Sequence, residues 1–370
     1  MAPYFRDALE GIANVAYFFT GAEGPPLKAH SVAASRYFVD KADGEEGRSR
    51  METELDRSRV LLSSMLKARS NQIALLGNAS DALHRLAGSI HYPPGSNVVT
   101  SELEFPSGVH TLLALRARGV EVRIARSAGG RVSLDSYSRL IDHRTRLVIA
   151  SHSSYINGAM VNAVGLRQLA NEVDAPLVLD ATQSLGVLPV AGSDADAIVA
   201  SSYKWLLGPH GVGVLHVSSP DRFSEEIGAV GWRSVESIFT EDRHVAFHLR
   251  SDSRRFELGY PNILGTYLLN ESLGLLATVS PEDLADHVAR QSESLVARLV
   301  DLGAQLLTPR NPKHRGANVS IAHAHASSLA ERLLRTGVRV WGGDGRLRFS
   351  IHGFVSDADI ERAISALREA

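Results

Sequence analysis

The alternation of short strand-like runs with amphipathic helical stretches, from about residue 70 onward, constrains the fold of this chain more than any other feature. Such an alternation predicts an α/β domain whose helices cross between largely parallel strands. The predicted strands span residues 72–76, 97–101, 121–125, 146–151, 176–180, 195–201 and 213–217, and the helices between them include 80–89, 107–117 and 164–173.

The predicted strand at 213–217 follows the strand at 195–201 after a short connection rich in Gly and Pro. A crossover between parallel strands needs about a dozen residues or more, so we expect these two strands to be antiparallel. The sequence therefore predicts a mixed, mostly parallel sheet of seven strands.

The pattern changes after Phe256. Two long helices are predicted at 261–277 and 281–302, followed by strands at 317–322, 338–341 and 346–351 and by a helix from Asp357 to the end. Long helices followed by a few alternating strands predict a small α+β domain at the C-terminus.

Charge and hydropathy narrow the classes of ligand and location. Lysine and arginine number 39 against 41 aspartates and glutamates, so the formal net charge is −2 and there is no broad basic field for nucleic acid or an anionic membrane. The expected ligand is therefore small. The N-terminus lacks the basic start of a signal peptide, and no apolar run approaches the roughly 18 residues of a membrane span. We expect a cytoplasmic protein.

The chain contains no cysteine. This absence excludes disulfides, thiolate metal sites and a cysteine nucleophile. The histidines also lack the His-Glu-x-x-His spacing of a zinc helix, so no metal site is expected.

A lysine stands in the most informative stretch, SSYKWLLGPHG at residues 201–211, which follows a buried strand. Ligands of open α/β sheets bind at the carboxyl ends of the strands. Because Trp205 and Leu206 follow Lys204, we expect its amine to be partly desolvated and nucleophilic. The alternative is a surface lysine that closes a hairpin.

An acid and a helix start complete a possible cofactor site. Asp180 ends the strand 176–180, where it is either a solvated turn cap or a carboxylate that faces a cofactor. Asp180 and Lys204 on neighbouring strand ends are what pyridoxal phosphate requires, namely an acid opposite the pyridinium nitrogen and a lysine for the Schiff base. The turn LGNASDA at residues 76–82 offers helix N-terminal amides to a phosphate, although an ordinary helix cap uses the same residue types.

These elements, in this order, resemble the class V aminotransferase family, a branch of the fold-type I pyridoxal phosphate enzymes. That family includes cysteine desulfurases, kynureninases and isopenicillin N epimerase-like proteins. The resemblance rests on residues 77–82, 101–107 (SELEFPS), 151–158, 180–183 (DATQ), 201–211, 255–262 (RFELGYPN) and 347–350 (LRFS).

The resemblance also implies an organisation for the chain. It implies an N-terminal arm at 1–20, a large cofactor-binding domain at 21–255 with the seven-stranded sheet, and a small α+β domain at 256–370. It further implies a homodimer whose active site lies at the subunit interface.

The resemblance assigns roles to individual residues. Lys204 forms the Schiff base with pyridoxal 5′-phosphate, Asp180 pairs with the ring nitrogen, and Gln183 hydrogen-bonds the phenolic oxygen of the cofactor. The residues implied to hold the phosphate are Ala79, Ser80 and Ser201.

Several positions depart from the common pattern of the family. Phe105 falls where many relatives have a histidine over the pyridine ring, and an aromatic side chain there can still stack. Tyr203 replaces the histidine that usually precedes the lysine, and its phenol can reach the phosphate. Tyr155 stands where several relatives have an asparagine. Tyr260 stands where many have a threonine that completes the phosphate site across the dimer.

The substrate carboxylate is assigned to an arginine. Arg348 matches the family arginine that binds the α-carboxylate, a task suited to a planar, permanently charged group. Strand alternation places Arg346 on the same face, so the pattern alone makes Arg346 a competitor for this role.

The predicted function is that of a pyridoxal phosphate enzyme acting at Cα or Cβ of an amino acid, as an aminotransferase or a lyase. The alternatives are an amino-acid epimerase, a noncatalytic binding protein on the same fold, and a kynureninase-like hydrolase, which Phe105-Pro106 and Tyr203-Lys204 support. Cysteine desulfurases take sulfur onto a cysteine, and its absence argues against that activity.

Overall fold

The structure is a computed structural model that describes residues 4–224, 226 and 228–369. Residues 1–3 of the predicted arm and residue 370 of the predicted C-terminal domain lie outside the described residues. Within the described ranges, the main strands form two sheets, one of seven strands and one of four.

In chain order, the strands of this described part are β1 (Ala16–Phe18), β2 (Ile73–Leu76), β3 (Asn97–Ser101), β4 (Glu121–Ala125), β5 (Thr145–Ser151), β6 (Leu177–Asp180), β7 (Ala197–Ser201), β8 (Gly213–Val217), β9 (Asn318–Ala322), β10 (Val338–Gly343) and β11 (Arg346–Ser350). The α-helices are α1 (His30–Ala42), α2 (Gly44–Met65), α3 (Ala79–Gly88), α4 (Pro106–Ala114), α5 (Leu134–Ser138), α6 (Ala163–Asn171), α7 (Ile263–Leu276), α8 (Pro281–Asp301), α9 (Ala326–Arg335) and α10 (Asp357–Glu369).

The large sheet has the strand order β2-β8-β7-β6-β5-β3-β4. The strands from β3 to β7 pair in parallel, whereas β8 runs antiparallel to both β7 and β2. This confirms the seven predicted strands and the mixed, mostly parallel sheet. The reversal at β8 follows from the short connection after β7, which leaves no room for a crossover helix.

The central strands are apolar on both faces because the sheet separates two cores. Leu177 and Leu179 of β6 pack into one cluster of buried side chains, and Val178 packs into the other. Continuous apolar runs are typical of parallel strands buried on both sides. The polar residues that end these parallel strands lie at the carboxyl edge of the sheet, where ligands of α/β sheets bind.

The small sheet has the order β1-β10-β11-β9. Three of its strands were predicted, but β1 was not, because three residues are too few to show an alternating pattern. The predictions also omitted α1, the mostly polar α2, the one-turn α5 and α9. Because β1 pairs in parallel with β10, the N-terminal segment completes the small sheet. We keep the division at 21–255 and 256–370 as a proposal.

In the part of the chain that the structure describes, no helix has both the length and the apolar character needed to cross a membrane.

A buried carboxylate closes the outer edge of the large sheet. Arg59 Nη2 donates to both oxygens of Glu257, at 2.7 and 2.9 Å, and the backbone amide of Leu75 donates to Oε1 at 2.9 Å. The side chains of Glu257 and Arg59 are 1% and 4% exposed. Among the described strands β2 pairs only with β8, so Glu257 satisfies a donor on its free edge. It thereby fixes the strand that leads into the turn at Gly77.

Replacing Glu257 with glutamine should destabilise the fold by about 3–5 kcal/mol, because Arg59 would lose its buried counter-charge and keep only the exposed Asp56. The measurement is the free energy of unfolding from urea denaturation. Asp56→Asn is the matched control, since Asp56 is the other carboxylate that pairs with Arg59. The side chain of Asp56 is 68% exposed. That control should cost at most about 1 kcal/mol. Equal losses in the two variants would contradict this account of Glu257.

Candidate active site

A cavity of about 440 Å³ lies at the carboxyl ends of β6 and β7, beside the start of α3. Among the described residues, it contains every predicted cofactor residue except Tyr260. The lining consists of Gly77, Asn78, Ala79, Ser80, Phe105, Ser107, Ser151, Asp180, Thr182, Gln183, Ser201, Tyr203, Lys204, His210 and Gly211.

The backbone around Lys204 is tightly constrained. Lys204 follows the end of β7 by three residues and is only 5% exposed. The amide of Leu207 donates to its carbonyl, and Leu207 adopts a left-handed conformation with φ 54°. This conformation is unfavourable for leucine and is held by burial of its side chain. On the other side a Cβ on Gly24 would lie 2.4 Å from the Lys204 carbonyl oxygen, so only glycine fits there.

The amine of Lys204 lies in apolar, aromatic surroundings. Its Nζ is 5.1 Å from the ring centroid of Phe105 and 5.4 Å from that of Tyr203. Burial lowers the pKa of Lys204 to about 8, the negative charge of Asp180 opposes this shift, and the positive charge of Arg348 adds to it. The nucleophilic neutral form is therefore reached at lower pH than in an exposed lysine. The other lysines of the chain are exposed, namely Lys28, Lys41, Lys67 and Lys313.

Asp180 ends β6, the strand next to β7, and is also buried. Its Oδ1 accepts a hydrogen bond from the backbone amide of Thr182 at 2.8 Å. Burial raises the pKa of Asp180, whereas the bonds from Thr182 and the positive charge of Lys204 lower it. A protonated pyridine nitrogen in the cavity would favour the carboxylate in the same way as Lys204 does. The position thus suits the predicted pairing.

The opposite end of the cavity combines helix N-terminal amides with hydroxyl groups. Asn78 Oδ1 caps α3 by accepting a backbone hydrogen bond at 2.9 Å. The amide of Ala79 donates to Ser201 Oγ at 3.2 Å, and the hydroxyls of Ser80 and Ser107 are 2.7 Å apart. The ordinary helix cap and the phosphate seat are therefore compatible, because the cap uses Asn78 and leaves the other donors at the cavity.

Gln183 also lines the cavity, and both ends of its side-chain amide are engaged. Nε2 donates to the carbonyl of Gly21 at 2.9 Å, while Oε1 accepts from Trp205 Nε1 at 3.1 Å and from Asn318 Nδ2 at 2.9 Å. The second hydrogen on Nε2 is left for an acceptor in the cavity. The bond to the phenolic oxygen of the cofactor stays a prediction.

Tyr203 and His210 form a stacked pair in the lining, with ring centroids 4.2 Å apart. His210 Nε2 lies 3.0 Å from Glu23 Oε2, which ties the pair to the N-terminal segment. Burial raises the pKa of Tyr203, so its hydroxyl remains a hydrogen-bond donor at neutral pH. The sequence analysis gave His210 no role, because an exposed histidine in a Gly-rich turn carries no distinctive signal.

Tyr260 is placed away from the cavity of its own chain. Its hydroxyl accepts a hydrogen bond from Arg48 Nε at 3.0 Å, and its ring packs on Trp232. Tyr260 is 38% exposed. Its predicted role concerned the cofactor of a neighbouring subunit and stays a prediction.

Arg348 lies one layer behind the lining. Its Nη1 donates to the carbonyl of Tyr155 at 2.7 Å, and the ring of Tyr155 packs edge-on against Phe105 with centroids 5.0 Å apart. The charge of Arg348 also lowers the pKa of Lys204. The predicted carboxylate anchor is therefore connected to the cavity through Tyr155 and Phe105, and its role stays a prediction.

Glu104 is a buried acid to which the sequence analysis gave no role. Its Oε1 accepts from the amide of Phe105 at 2.8 Å and from Ser151 Oγ at 2.7 Å, and Oε2 has no partner among the described residues. Burial and the negative charge of Asp180 raise the pKa of Glu104 to about 8. The two buried acids titrate as a pair, and the negative charge of Asp180 favours the protonated form of Glu104.

Together these residues fit pyridoxal phosphate. The cavity offers a phosphate seat at the start of α3, the buried acid Asp180 and the buried amine of Lys204, and aromatic rings stand beside that amine. In residues 4–224, 226 and 228–369 there is no group of three or more His, Asp or Glu side chains that could hold a metal ion.

Several known proteins are similar to this chain in sequence or in structure. A probable cysteine desulfurase of Methanothermobacter thermautotrophicus is 29% identical over 246 residues, which cover 66% of this chain and 60% of that protein. A kynureninase of Deinococcus radiodurans is 24% identical over 326 residues, which cover 84% and 77%. A mutant of C-DES, a cystine C–S lyase, solved with glycine covalently linked to its PLP cofactor, has a TM-score of 0.89 at 19% identity over 98% of both chains.

The structural likeness confirms the predicted fold-type I architecture. The family described as "Aminotransferase class-V" matches residues 41–360, which is most of the chain. The chain therefore belongs to the class-V aminotransferase family of enzymes, whose cofactor is pyridoxal 5′-phosphate.

Proposed function

We propose that this protein acts at Cα or Cβ of an amino acid through a Schiff base on Lys204, as an aminotransferase or a lyase. The observation that carries the proposal is the meeting of Lys204 and Asp180, both buried, at neighbouring strand ends in one cavity. When bound there, pyridoxal phosphate supplies an electron sink that weakens the bonds at the substrate Cα.

The residues of the chain supply positioning and proton transfer. Burial makes the amine of Lys204 easier to deprotonate. Lys204 therefore accepts and returns the proton at the substrate carbon. Asp180 holds negative charge opposite the ring nitrogen, and Phe105 covers the reacting atoms with an apolar face. Arg348 binds the α-carboxylate and so orients the bond that breaks.

The choice of reaction is argued from the relatives and from composition. C-DES cleaves a C–S bond, which supports lyase chemistry. This chain has no cysteine to accept sulfur, so we propose a reaction other than cysteine desulfuration. A kynureninase-like hydrolase is the second candidate, since Phe105 and Tyr203 both contact the lysine amine and a kynureninase is among the relatives.

The reaction is identified by product analysis of the holoenzyme with a panel of amino acids. A keto acid formed with retention of the amine on the cofactor indicates transamination, pyruvate and free ammonia indicate elimination, anthranilate indicates hydrolysis, and the inverted isomer indicates epimerisation. Turnover of no amino acid in the panel by a fully loaded enzyme would favour a noncatalytic protein.

Lys204→Ala should abolish the visible absorption band of the lysine-bound cofactor while noncovalent binding persists, because the phosphate seat is intact. Borohydride reduction of the wild type followed by peptide mapping locates the attachment. The control is Lys67→Ala, since Lys67 is 68% exposed and its loss should leave the band unchanged. Labelling of any lysine other than Lys204 would refute the assignment.

Asp180→Asn should bind the cofactor but reduce turnover by about 100-fold or more, because the charge that stabilises the protonated ring is lost. Steady-state kinetics at pH 7 measure this. Glu104→Gln is the matched control: glutamine reproduces the protonated acid, so this variant should keep most of its turnover at neutral pH. Equal losses in both variants would show that burial of a polar group, and not the charge of Asp180, is what matters.

We expect a homodimer in solution, with the segment around Tyr260 at the interface. Trp232, which packs on Tyr260, is 46% exposed, and Phe239 and Phe247 in the stretch that follows it are 85% and 50% exposed. Exposed apolar side chains of this size mark association surfaces. Light scattering of the holoenzyme should give twice the mass of the chain. A monomer with full activity would contradict the prediction.

A further inference from the structure

Two arginines share one face of β11 beside the active site. Arg346 and Arg348 are 4% and 3% exposed. Their guanidinium carbons lie 4.8 and 5.2 Å from the ring centroid of Trp341 on the neighbouring strand. Both groups are therefore held against the same indole, and both are removed from water.

Neither arginine is neutralised by a buried acid. Within the described residues, the guanidinium of Arg348 bonds only to the carbonyl of Tyr155, and its Nε is a buried donor without a partner. Arg346 contacts Asp344, whose side chain is 75% exposed, and its Nε is likewise unpartnered. Burial and the charge of Arg346 lower the pKa of Arg348. Two buried cations with free donors are costly unless an anion binds them.

The cofactor phosphate does not account for these donors. The phosphate seat at α3 consists of backbone amides and hydroxyls, and the described lining of that cavity includes no arginine. The arginines instead contact Tyr155, since the guanidinium carbon of Arg346 lies 5.4 Å from the centroid of its ring. Tyr155 packs on Phe105, which faces Lys204. These contacts connect the two arginines, through Tyr155 and Phe105, to the amine of Lys204.

The turn between β10 and β11 holds Arg346 in place. Gly343 pairs with Arg346 in the antiparallel register, and the two residues between them, Asp344 and Gly345, have φ values of 51° and 69°. Two successive positive φ values define a tight hairpin turn that matches strand twist. The turn fixes where β11 begins, and the strand itself places Arg346 and Arg348 two residues apart on one face, as recognition of a two-pronged ligand requires.

We propose that Arg346 is a specificity-determining residue and that the substrate is an amino acid whose side chain carries a second anionic group, such as a carboxylate. Arg348 binds the α-carboxylate and Arg346 binds the side-chain anion, with Trp341 aligning both groups. In the absence of substrate, the exposed Asp344 forms an ion pair with Arg346, and the side-chain anion of the substrate replaces Asp344. This inference rests on the proposed function, because it takes the substrate to be an amino acid bound next to Lys204.

The test compares acids with their amides, which differ in charge but hardly in shape. The holoenzyme is mixed with L-aspartate or L-asparagine, and with L-glutamate or L-glutamine. Apparent dissociation constants come from the initial change in cofactor absorption. One acid should bind about 30-fold or more tightly than its amide, as expected for a desolvated charge pair. Arg346→Gln should bring this ratio close to one, whereas Arg348→Gln should weaken acid and amide in parallel.

Two further variants keep the test decisive. Arg339→Gln on β10 removes an exposed arginine of the same sheet and should leave the ratio unchanged. Asp344→Asn removes the competing carboxylate and should raise the preference for the acid several-fold. Because Asp344 is exposed, the Asp344→Asn variant should fold, and it remains informative if Arg346→Gln fails to fold. A ratio that Asp344→Asn leaves unchanged or lowers would contradict the inference.

The outcomes separate this inference from the proposed function. If no lysine-bound cofactor band forms, both fail. If the band forms and responds to amino acids, but acids and amides bind equally well or Arg346→Gln keeps the preference, only the second-anion inference is overturned.

Discussion

The side chain of Gln183 joins three parts of the chain at the active site, and the geometry of the site depends on it. Its amide receives bonds from Trp205, next to the reactive lysine, and from Asn318 in β9, and it donates to Gly21 in the N-terminal segment. Gln183 is 5% exposed, so each of these bonds is formed away from water, where loss of one partner leaves the others unsatisfied. The large sheet, the small sheet and the N-terminal segment are therefore locked at one residue.

The same network sets the position of the arginines relative to the lysine. Ser350 Oγ donates to Asn318 Oδ1 at 2.7 Å, which ties the end of β11 to β9 beside Gln183. Gly21 is needed because a Cβ there would lie 2.5 Å from Ser350 Oγ and 2.8 Å from Asn318 Oδ1. Arg348 is two residues before Ser350 on the same strand face. Its distance from the active site is thus fixed by buried amide and hydroxyl bonds and not by a flexible hinge.

The sequence predicted those features that repeat along the chain or follow from sheet topology. The large sheet could be predicted because each strand is an apolar run. Asp180 and Lys204 could be predicted to lie near each other because parallel strands end at one edge of the sheet. The three residues of β1 show no period. Glu104 could not be found because its burial depends on Ser151 and Asp180, which are distant in the sequence. Strand alternation placed both β11 arginines on one face. It could not show which of them binds the α-carboxylate, because residues two apart are equivalent in a strand pattern.

Charge is distributed unevenly across the site, and this limits what can bind. On the large-sheet side Glu104 and Asp180 are two buried acids, and the negative charge of Asp180 favours a proton on Glu104. On the small-sheet side the two arginines have no buried acid among the described residues. The pKa of Lys204 responds to both sides, because the negative charge of Asp180 raises it and the positive charge of Arg348 lowers it. Among the described residues, the carboxylate that contacts Arg346 is that of Asp344, which is exposed, and Arg348 bonds to a backbone carbonyl. A substrate with a single carboxylate would engage Arg348 and leave Arg346 with this exposed partner alone.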